Sequence, residues 1–299
     1  MTIGWLAIVN PRSGRGAERP SFRPILESLE RVVEKIVFTE GAGHARELAS
    51  RAAGYGGLAL VGGDGTLHEV LAADRRAEHL ALVPTGRGNS LARDLGLTSA
   101  SVGVHAIGSR RLARIDLIDV LLEDRDGRRQ ACRSASTVAL GYPVAVTARA
   151  DRSFRFAGGY CYLAAAIVES AGQIPFEIEI AYDGAAASTR RLTGLIVNNT
   201  RHLANFDAFP DARYDDGWLD LIELDAGFIR QNLHNISALC GSRLGSSSRP
   251  FRGRQMEARL AEPASVMVDG QIYPAVARLE IRIAPAALTC HRHAIGAAA

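Results

Sequence analysis

Lysine is almost missing from this chain: of its 35 basic side chains all but Lys35 are arginine. That excludes a phosphate loop of the type G-x-x-x-x-G-K-[ST] and any lysine Schiff-base chemistry. Pairing with phosphate, where it is needed, falls to arginine. Cysteine is scarce as well. Cys132, Cys161, Cys240 and Cys290 stand apart with no paired spacing, so a disulfide framework is excluded and reduced thiols of a cytosolic protein are expected. Cys290-His291-Arg292-His293 lacks a completed metal-ligand set and reads as tail. No long apolar run is present, since the longest, Tyr160 to Val168, is too short to cross a bilayer. The apolar opening Ile3 to Val9 has no positive leader and runs directly into a polar turn, so no signal peptide is expected. Nor is there an excess of one charge sign. A net charge of +3, from 35 basic and 32 acidic residues, argues against nucleic acid as the main partner and is compatible with transient contact with anionic lipid headgroups. Internal repeats and low-complexity tracts are absent.

What is present is enough apolar residue, 47% of 299, for two cores, and two domains are expected. Up to about residue 112 strand and helix alternate. Strands are read at Ile3–Val9, Val32–Phe38, Leu58–Val61 and Leu80–Val83, with apolar residues at helical spacing between them (Phe22, Ile25, Leu26 and Leu29; Ala45, Leu48, Ala49 and Ala52). Such alternation gives a parallel sheet covered on both faces. From Ile115 on, the pattern becomes strands separated by turn residues: Ile115–Leu122, Arg133–Leu140, Phe176–Tyr182, Arg191–Val197, Leu219–Leu224, Met256–Leu260, Ser265–Val268 and Arg278–Ile283. Helical stretches at Tyr160–Gly172 and Phe228–Cys240 interrupt it, and Ser246–Pro250 reads as a loop. Mostly antiparallel strands in this number predict a sandwich or barrel-like second domain. The expected division is 1–112 and 113–299, the C-terminal tail being a candidate to return to the first domain.

Three strands of the first half end in small, polar, glycine-rich turns: Asn10-Pro11-Arg12-Ser13-Gly14-Arg15-Gly16, Gly62-Gly63-Asp64-Gly65-Thr66 and Pro84-Thr85-Gly86-Arg87-Gly88-Asn89-Ser90. In an open α/β sheet the carboxyl ends of parallel strands line one crevice, so these turns are expected to converge on one ligand. Glycine lets the backbone approach a ligand closely, a following helix offers N–H groups to an anion, and an aspartate can hold a metal ion. That is the build of a phosphate-handling site. Asp64 is the candidate for the catalytic magnesium, directly or through water; its alternative role is a helix N-cap. Thr66 and the backbone N–H groups of Gly62, Gly63, Asp64, Gly65, Thr66, Leu67 and His68 are candidates to cradle phosphates, together with Asn10, Thr85, Gly86, Arg87 and Asn89. Arg12 and Arg15 are candidate phosphate partners or else surface arginines.

At these residues the chain resembles the diacylglycerol kinase and sphingosine kinase group of lipid kinases, whose members carry an NPxSG-type turn, a GGDGT turn and a P-x-G-T-x-N-D turn in this order. The present chain reads NPRSG, GGDGTLHEV and PTGRGNSLARDLG. The resemblance continues through Pro210-Asp211-Ala212-Arg213-Tyr214-Asp215-Asp216-Gly217-Trp218-Leu219-Asp220, similar to the group's P-x-A-x-x-D-D-G-x-L-D, and Val268-Asp269-Gly270-Gln271, similar to its D-G-E segment. GGDGT by itself is shared with NAD kinases; the two later segments point to lipid kinases. The resemblance implies an α/β domain with a parallel sheet, a mostly antiparallel β-sandwich domain and an active site between them. It also implies transfer of the γ-phosphate of ATP, with Mg2+, to a hydroxyl of a diacylglycerol-like or sphingoid lipid. The protein would be cytoplasmic and peripheral to the membrane, with a homodimer admitted. Alternatives are a kinase of a soluble metabolite, including NAD, and a nucleotide- or lipid-binding relic without turnover.

By the same resemblance Thr39 stands where a hydroxyl lies near the nucleotide, and Asp116 matches an aspartate of the metal network. Asp269 is the candidate general base; its alternative is a plain Asp-Gly hairpin turn. A second, structural magnesium is implied at Asp216, with carbonyl ligands at Arg213 and Trp218. Three residues depart from the group's pattern: Gln271 for glutamate, Arg87 for threonine and Ser90 for aspartate. LHEV and Gly-Asn-Ser-Leu-Ala lean toward sphingosine-kinase-like members. Phe154, Phe156, Tyr160, Tyr162, Phe206, Phe209 and Trp218 are candidates to line an apolar cleft, with ordinary core packing as the alternative.

Overall fold

Every residue from Gly57 to Gly62 is buried, and so are Leu6 to Val9, which is how strands covered on both faces look. In the computed structural model, which describes residues 4–14, 22–74, 76–154, 161–172, 174–203, 206–225 and 249–293, they form β1 (Trp5–Val9) and β3 (Gly57–Gly62), flanked by β2 (Lys35–Phe38) and β4 (His79–Pro84). All three pairings are parallel, with Val9 opposite Phe38 and Val61, and Val61 opposite Val83. The strand order is β4-β3-β1-β2. Between these strands run α1 (Phe22–Leu29), α2 (His44–Ser50) and α3 (Asp64–Leu71); α4 (Ser90–Asp94) and α5 (Ala100–Ala106) follow β4. The core packs Phe22 and Leu29 of α1 and Val104 of α5 against Ala7, Val9, Ala59, Val61 and Val83. Leu29 is fully buried, so Leu29→Ala costs about 2–5 kcal/mol.

The chain divides into two compact units, Met1–Asp116 with Pro285–Ala299, and Leu117–Ala284. The returning segment adds a strand to the first unit, where Thr289 and Cys290 pair in parallel with His79 and Leu80. It is anchored by Asp116, which is 3% exposed and whose Oδ1 accepts the Ala286 amide at 2.7 Å.

The second unit is built from β5 (Leu112–Asp124) from Leu117 on, β6 (Arg129–Ser134), β7 (Thr137–Gly141), β8 (Phe176–Tyr182) and β9 (Ser188–Asn198). To these it adds a short hairpin of β10 (His202–Leu203) and β11 (Phe206–Asp207), then β12 (Leu219–Asp225), β13 (Arg249–Gly253), β14 (Gln255–Val268) and the first part of β15 (Gln271–His291). Its pairings are antiparallel. Alternation is plain in β8, where Glu177 and Glu179 are exposed and Ile178 and Ile180 buried. Ile118, Leu140, Ile178, Leu195, Leu279 and neighbours share one core. Two helices, α6 (Tyr142–Ser153) and α7 (Cys161–Glu169), pack on each other through Tyr142, Val146, Ala150, Cys161 and Ala165, and the Tyr142 hydroxyl donates to Ala166 O at 2.7 Å.

Several elements differ from the reading of the sequence. The single strand expected over Arg133–Leu140 is two, β6 and β7, because the backbone breaks at Ala135-Ser136 to turn its amides toward Asp269. The separate strands expected at Met256–Leu260 and Ser265–Val268 are one, β14, with register shifts between Arg259 and Val266. Arg249 and Pro250, expected in a loop, belong to β13, an edge strand, where a proline removes no needed donor. α5 and α6 are additions; Ser99, whose Oγ accepts the Val102 amide at 3.3 Å, and Pro143 in the first turn of α6 are their start signals. The helix expected over Phe228–Cys240, the residues Ser246 to Ser248, Arg15, Gly16, Phe156 and Tyr160 lie outside the described residues.

The returning strand places His291, 5% exposed, with its ring edge-on to Trp5 at 4.9 Å and to His79 at 5.8 Å. Burial, and then the neighbouring His79, hold its pKa below the usual histidine value. A group whose folded pKa is lowered favours the fold above its unfolded pKa of about 6.5 and loses that contribution as pH falls from there through the lower folded pKa. Melting temperature is therefore expected to drop between about pH 7.5 and pH 5.5, and to drop less in His291→Gln, as thermal denaturation measures directly.

Candidate active site

β1, β3 and β4 are neighbours in the sheet, so the three glycine-rich turns leave it side by side, and the structure laces them together. Asn10 Nδ2 donates to Thr66 Oγ1 at 2.9 Å, and the Asn10 amide donates to Val61 O at 2.9 Å. The Thr85 amide donates to Gly62 O at 3.0 Å. Asp64, the first residue of α3, directs its carboxylate at the third turn: Oδ2 accepts the Asn89 amide at 2.8 Å and Oδ1 the Ser90 amide at 2.9 Å. It does not cap its own helix, the alternative read in the sequence, since α3 begins at Asp64 with Gly63 at the N-cap position; its carboxylate instead accepts the amides that open α4. Close approach explains the glycines. A Cβ on Gly86 would lie 2.5 Å from the Gly63 Cα and 2.7 Å from Asn89 Oδ1, and one on Gly63 would lie 2.9 Å from the Gly86 Cα.

The remaining expected residues sort by role. Asn89 has φ 56° and closes its own turn, Oδ1 accepting the Gly86 amide at 3.0 Å and Nδ2 donating to Gly86 O at 2.8 Å. The amides of Thr66 and Leu67 donate to Gly63 O at 3.0 and 3.1 Å, so the open N–H end of α3 lies ahead of Thr66. The side chains of Leu67 and His68 are buried in the unit rather than presented at the turn. Arg12 is exposed, its amide donating to Asn10 Oδ1 at 2.9 Å. Thr39 is buried at the end of β2, and its amide donates to Val9 O at 2.9 Å, beside the first turn. Thr85 Oγ1 is shut off from solvent and has no hydrogen-bond partner among the described residues. Arg87 is half-buried in the third turn. Ser90, where the resembling kinases have aspartate, contributes its amide to Asp64, a contact that any residue but proline supplies there. Glu69, which was not singled out in the sequence, accepts the Ala45 amide at 3.1 Å and so orients α2.

In the second unit Asp269 and Gly270, φ 47° and 87°, form the two-residue turn of the β14–β15 hairpin, the conformation Asp-Gly favours. The Asp269 carboxylate is 5% exposed. Its Oδ1 accepts from Ser134 Oγ at 2.7 Å, the Ser136 amide at 3.1 Å and the Thr137 amide at 3.0 Å, and its Oδ2 accepts the Ala135 amide at 2.8 Å. Behind it a buried hydroxyl and amide network runs from Ser136 to Thr200 at 3.1 Å, from Thr137 to Asn198, and from Asn199 to Ala135 O at 3.4 Å. These residues were not read as functional. The signal was there in two short runs of small polar residues within otherwise apolar strands, Ser134-Ala135-Ser136-Thr137 and Asn198-Asn199-Thr200. Gln271 is exposed at the start of β15. Of the aromatic candidates, Phe209 is core, Phe154 and Tyr162 pack on the α6–α7 pair, Phe206 is half-buried in β11, and Trp218 lies under the Arg254 guanidinium at 4.6 Å.

No cluster of three or more histidine, cysteine or carboxylate side chains able to hold a metal occurs among the described residues. Magnesium usually takes only one or two carboxylates and completes its shell with water and substrate phosphates; Asp64 stands beside the laced turns with each oxygen accepting one amide, so a metal there would use the remaining lone pairs or a bridging water. The acidic turn at Asp216 does not fit. Asp216 Oδ1 accepts the Trp218 amide at 3.1 Å, and its Oδ2 faces Arg252 Nη2 at 3.1 Å. The Arg213 side chain pairs with Asp215 at 3.2 Å.

The family model described as "Diacylglycerol kinase catalytic domain" matches residues 4–120, and that described as "YegS C-terminal NAD kinase beta sandwich-like domain" matches residues 136–292. A Pseudomonas aeruginosa protein described as "Probable lipid kinase YegS-like" is 29% identical over 262 residues, 83% of this chain and 81% of that protein. Diacylglycerol kinase of Mycobacterium tuberculosis is 28% identical over 223 residues, 72% and 71% of the two chains. Sphingosine kinase 1 of Rattus norvegicus is 36% identical over 104 residues, which is 30% of this chain and only 27% of that enzyme. Among solved structures, a diacylglycerol kinase from Bacillus anthracis superposes with a TM-score of 0.76 at 20% identity, covering 97% of each chain. Yeast NADH kinase superposes with a TM-score of 0.54 at 10% identity over 98% of this chain and 84% of that one; at these identities the likeness is of fold. With an α/β catalytic half and a β-sandwich half both matched, the chain belongs to the diacylglycerol kinase and YegS-like family of lipid kinases.

Proposed function

We propose that this protein is an ATP-dependent lipid kinase that transfers the γ-phosphoryl group to a hydroxyl of a diacylglycerol-like or sphingoid lipid, working from the cytoplasmic surface of the membrane. The observation that carries the reading is the lacing of the three turns through Asn10–Thr66, Thr85–Gly62 and Asp64–Asn89/Ser90. That arrangement gathers main-chain amides and small side chains at one end of the parallel sheet, where phosphate oxygens are held without lysine. The buried Thr85 hydroxyl supports it, being a donor that a phosphate oxygen would satisfy. No helix among the described residues is long and apolar enough to cross a membrane, so a lipid acceptor would be met at the bilayer surface.

In this reading the amides ahead of Thr66 and the Thr85 hydroxyl hold the phosphates, and exposed Arg12 adds a guanidinium. Magnesium, when bound at Asp64, would neutralise charge on the phosphates. The lipid oxygen attacks the γ-phosphorus, the bond to the β-phosphate oxygen breaks, ADP leaves, and the hydroxyl proton passes to a base, the role for which Asp269 is the candidate. Asp269 accepts four donors, three on Oδ1 and one on Oδ2. The same four donors favour a second reading, in which Asp269 is a positioning residue that holds the Ser134–Thr137 turn and takes no proton.

The deciding assay follows ADP formation with ATP and magnesium, against mixed micelles of diacylglycerol or of a sphingoid base, against NAD, and without acceptor. ADP release that depends on lipid is expected; release that depends on NAD would replace the lipid reading. Asp64→Asn removes the charge and turns one of the two acceptor oxygens into a donor facing an amide, and is expected to lower kcat at least ~10²-fold together with a lower melting temperature. Gly86→Ala forces a Cβ against Gly63 and Asn89 and is expected to cost about 1–3 kcal/mol of stability and to raise the KM for ATP. Asp269→Asn separates its two readings. Melting temperature falls in either reading, because the amide sets a donor against the donors that Asp269 accepts. As a general base its loss costs about 10²–10⁴-fold in kcat and removes the acidic limb of the pH–rate profile; as a positioning residue it leaves that limb in place, and Ser134→Ala reproduces a share of the loss in both kcat and stability.

A further inference from the structure

We infer that in this chain the guanidinium of Arg252 holds the acidic turn Asp211–Asp220 closed in the place where a divalent cation would otherwise sit, so that the second unit keeps this turn without metal. The inference stands whether or not the protein phosphorylates a lipid. Its basis is the register of two strands. β13 lies antiparallel to β12 with Arg252 opposite Asp220, which delivers the arginine to the foot of the turn. There Arg252 Nε donates to Asp220 Oδ1 at 2.9 Å, and Nη2 lies 3.3 Å from Asp220 Oδ2, 3.1 Å from Asp216 Oδ2 and 2.9 Å from the Asp211 carbonyl oxygen.

Two carboxylates and a main-chain carbonyl converging on one point are the hard-oxygen set that magnesium or calcium takes. Here they surround a planar fork that stays charged at any working pH and brings its own directed donors, so half of the charge of Asp216 and Asp220 is already offset and their oxygens are engaged. The neighbouring charges strengthen the exclusion. Asp215 is matched by Arg213 at 3.2 Å, and the Arg254 guanidinium covers the Trp218 ring at 4.6 Å. A divalent ion entering the turn would have to displace Arg252 and approach Arg254. Asp216 and Asp220 keep only 18% and 13% of their side chains exposed, so the pairing is better shielded from solvent than an ordinary surface ion pair.

Two readouts on the 299-residue chain test this, neither of them activity. The first is melting temperature in chelator and in magnesium, without nucleotide. The second is terbium luminescence sensitised by Trp218, which follows Asp216 by two residues and donates its amide to it. Wild-type protein is expected to melt at the same temperature in both solutions and to give no terbium emission that Trp218→Phe removes. Arg252→Gln is expected to melt several degrees lower in chelator, to recover part of the loss with magnesium or calcium, and to gain terbium emission that is lost in Arg252→Gln/Trp218→Phe. A wild-type protein that loses stability on chelation and shows Trp218-dependent emission overturns the inference, as does an Arg252→Gln variant that melts with wild type in chelator. If Arg252→Gln fails to fold, the comparison of wild type with Trp218→Phe still decides between arginine and metal.

Discussion

Two hydrogen bonds, from the Asn89 and Ser90 amides to the Asp64 carboxylate at 2.8 and 2.9 Å, tie the second glycine turn to the third. The rest of the candidate site depends on them. They fix the mouth of α3 beside the turn that follows β4, and the contact they enforce leaves no room for a side chain at Gly63 or Gly86. An anion held by amides is also an indication of what those turns prefer. Main-chain N–H groups gathered at the ends of strands and helices attract negative oxygens, and the carboxylate of Asp64 is a resident example of the class of group that a triphosphate would bring.

The second unit repeats the device. Asp269 heads a two-residue turn with φ 47° and collects the amides of Ala135, Ser136 and Thr137. Asp183, φ 50°, heads the turn after β8, and its Oδ1 collects the amides of Arg254 and Gln255 at 2.7 and 3.0 Å. In each case an aspartate at a tight turn satisfies the orphan amides of a neighbouring break in a strand, so that turns are positioned by charge-assisted bonds rather than by apolar contact. The acidic turn at Asp211–Asp220 uses the opposite arrangement, several oxygens gathered by one guanidinium. In a chain with a single lysine, arginine takes over this work because its flat fork meets several oxygens at once.

Much of the first unit was legible in the sequence because its strands are short, apolar throughout and closed by glycine-rich turns, as Gly57–Gly62 and the following Gly63-Asp64-Gly65 are. The convergence of the turns followed from strand order alone. Harder to read were features set by distant partners. The break at Ala135-Ser136 is invisible in a run that reads as one strand, since its cause is Asp269, 133 residues away from Ser136. The continuity of β14 is hidden because its middle, Leu260 to Ser265, pairs irregularly. That Asp64, the first residue of α3, would accept the amides that open α4 could not come from local signals, which place a cap ahead of its own helix. Equally, Asp216 looks like a cation ligand in sequence, and only the β12–β13 register brings Arg252 onto it.

The central claim, that three laced turns form one phosphate-binding cradle, is tested most directly by amide hydrogen exchange with and without ATP and magnesium. The account predicts that nucleotide slows exchange together in the segments around Ser13–Gly14, Gly63–Gly65 and Thr85–Ser90, and that Asp64→Asn removes the effect from all three. Protection confined to one turn, or found only in the second unit, would contradict it.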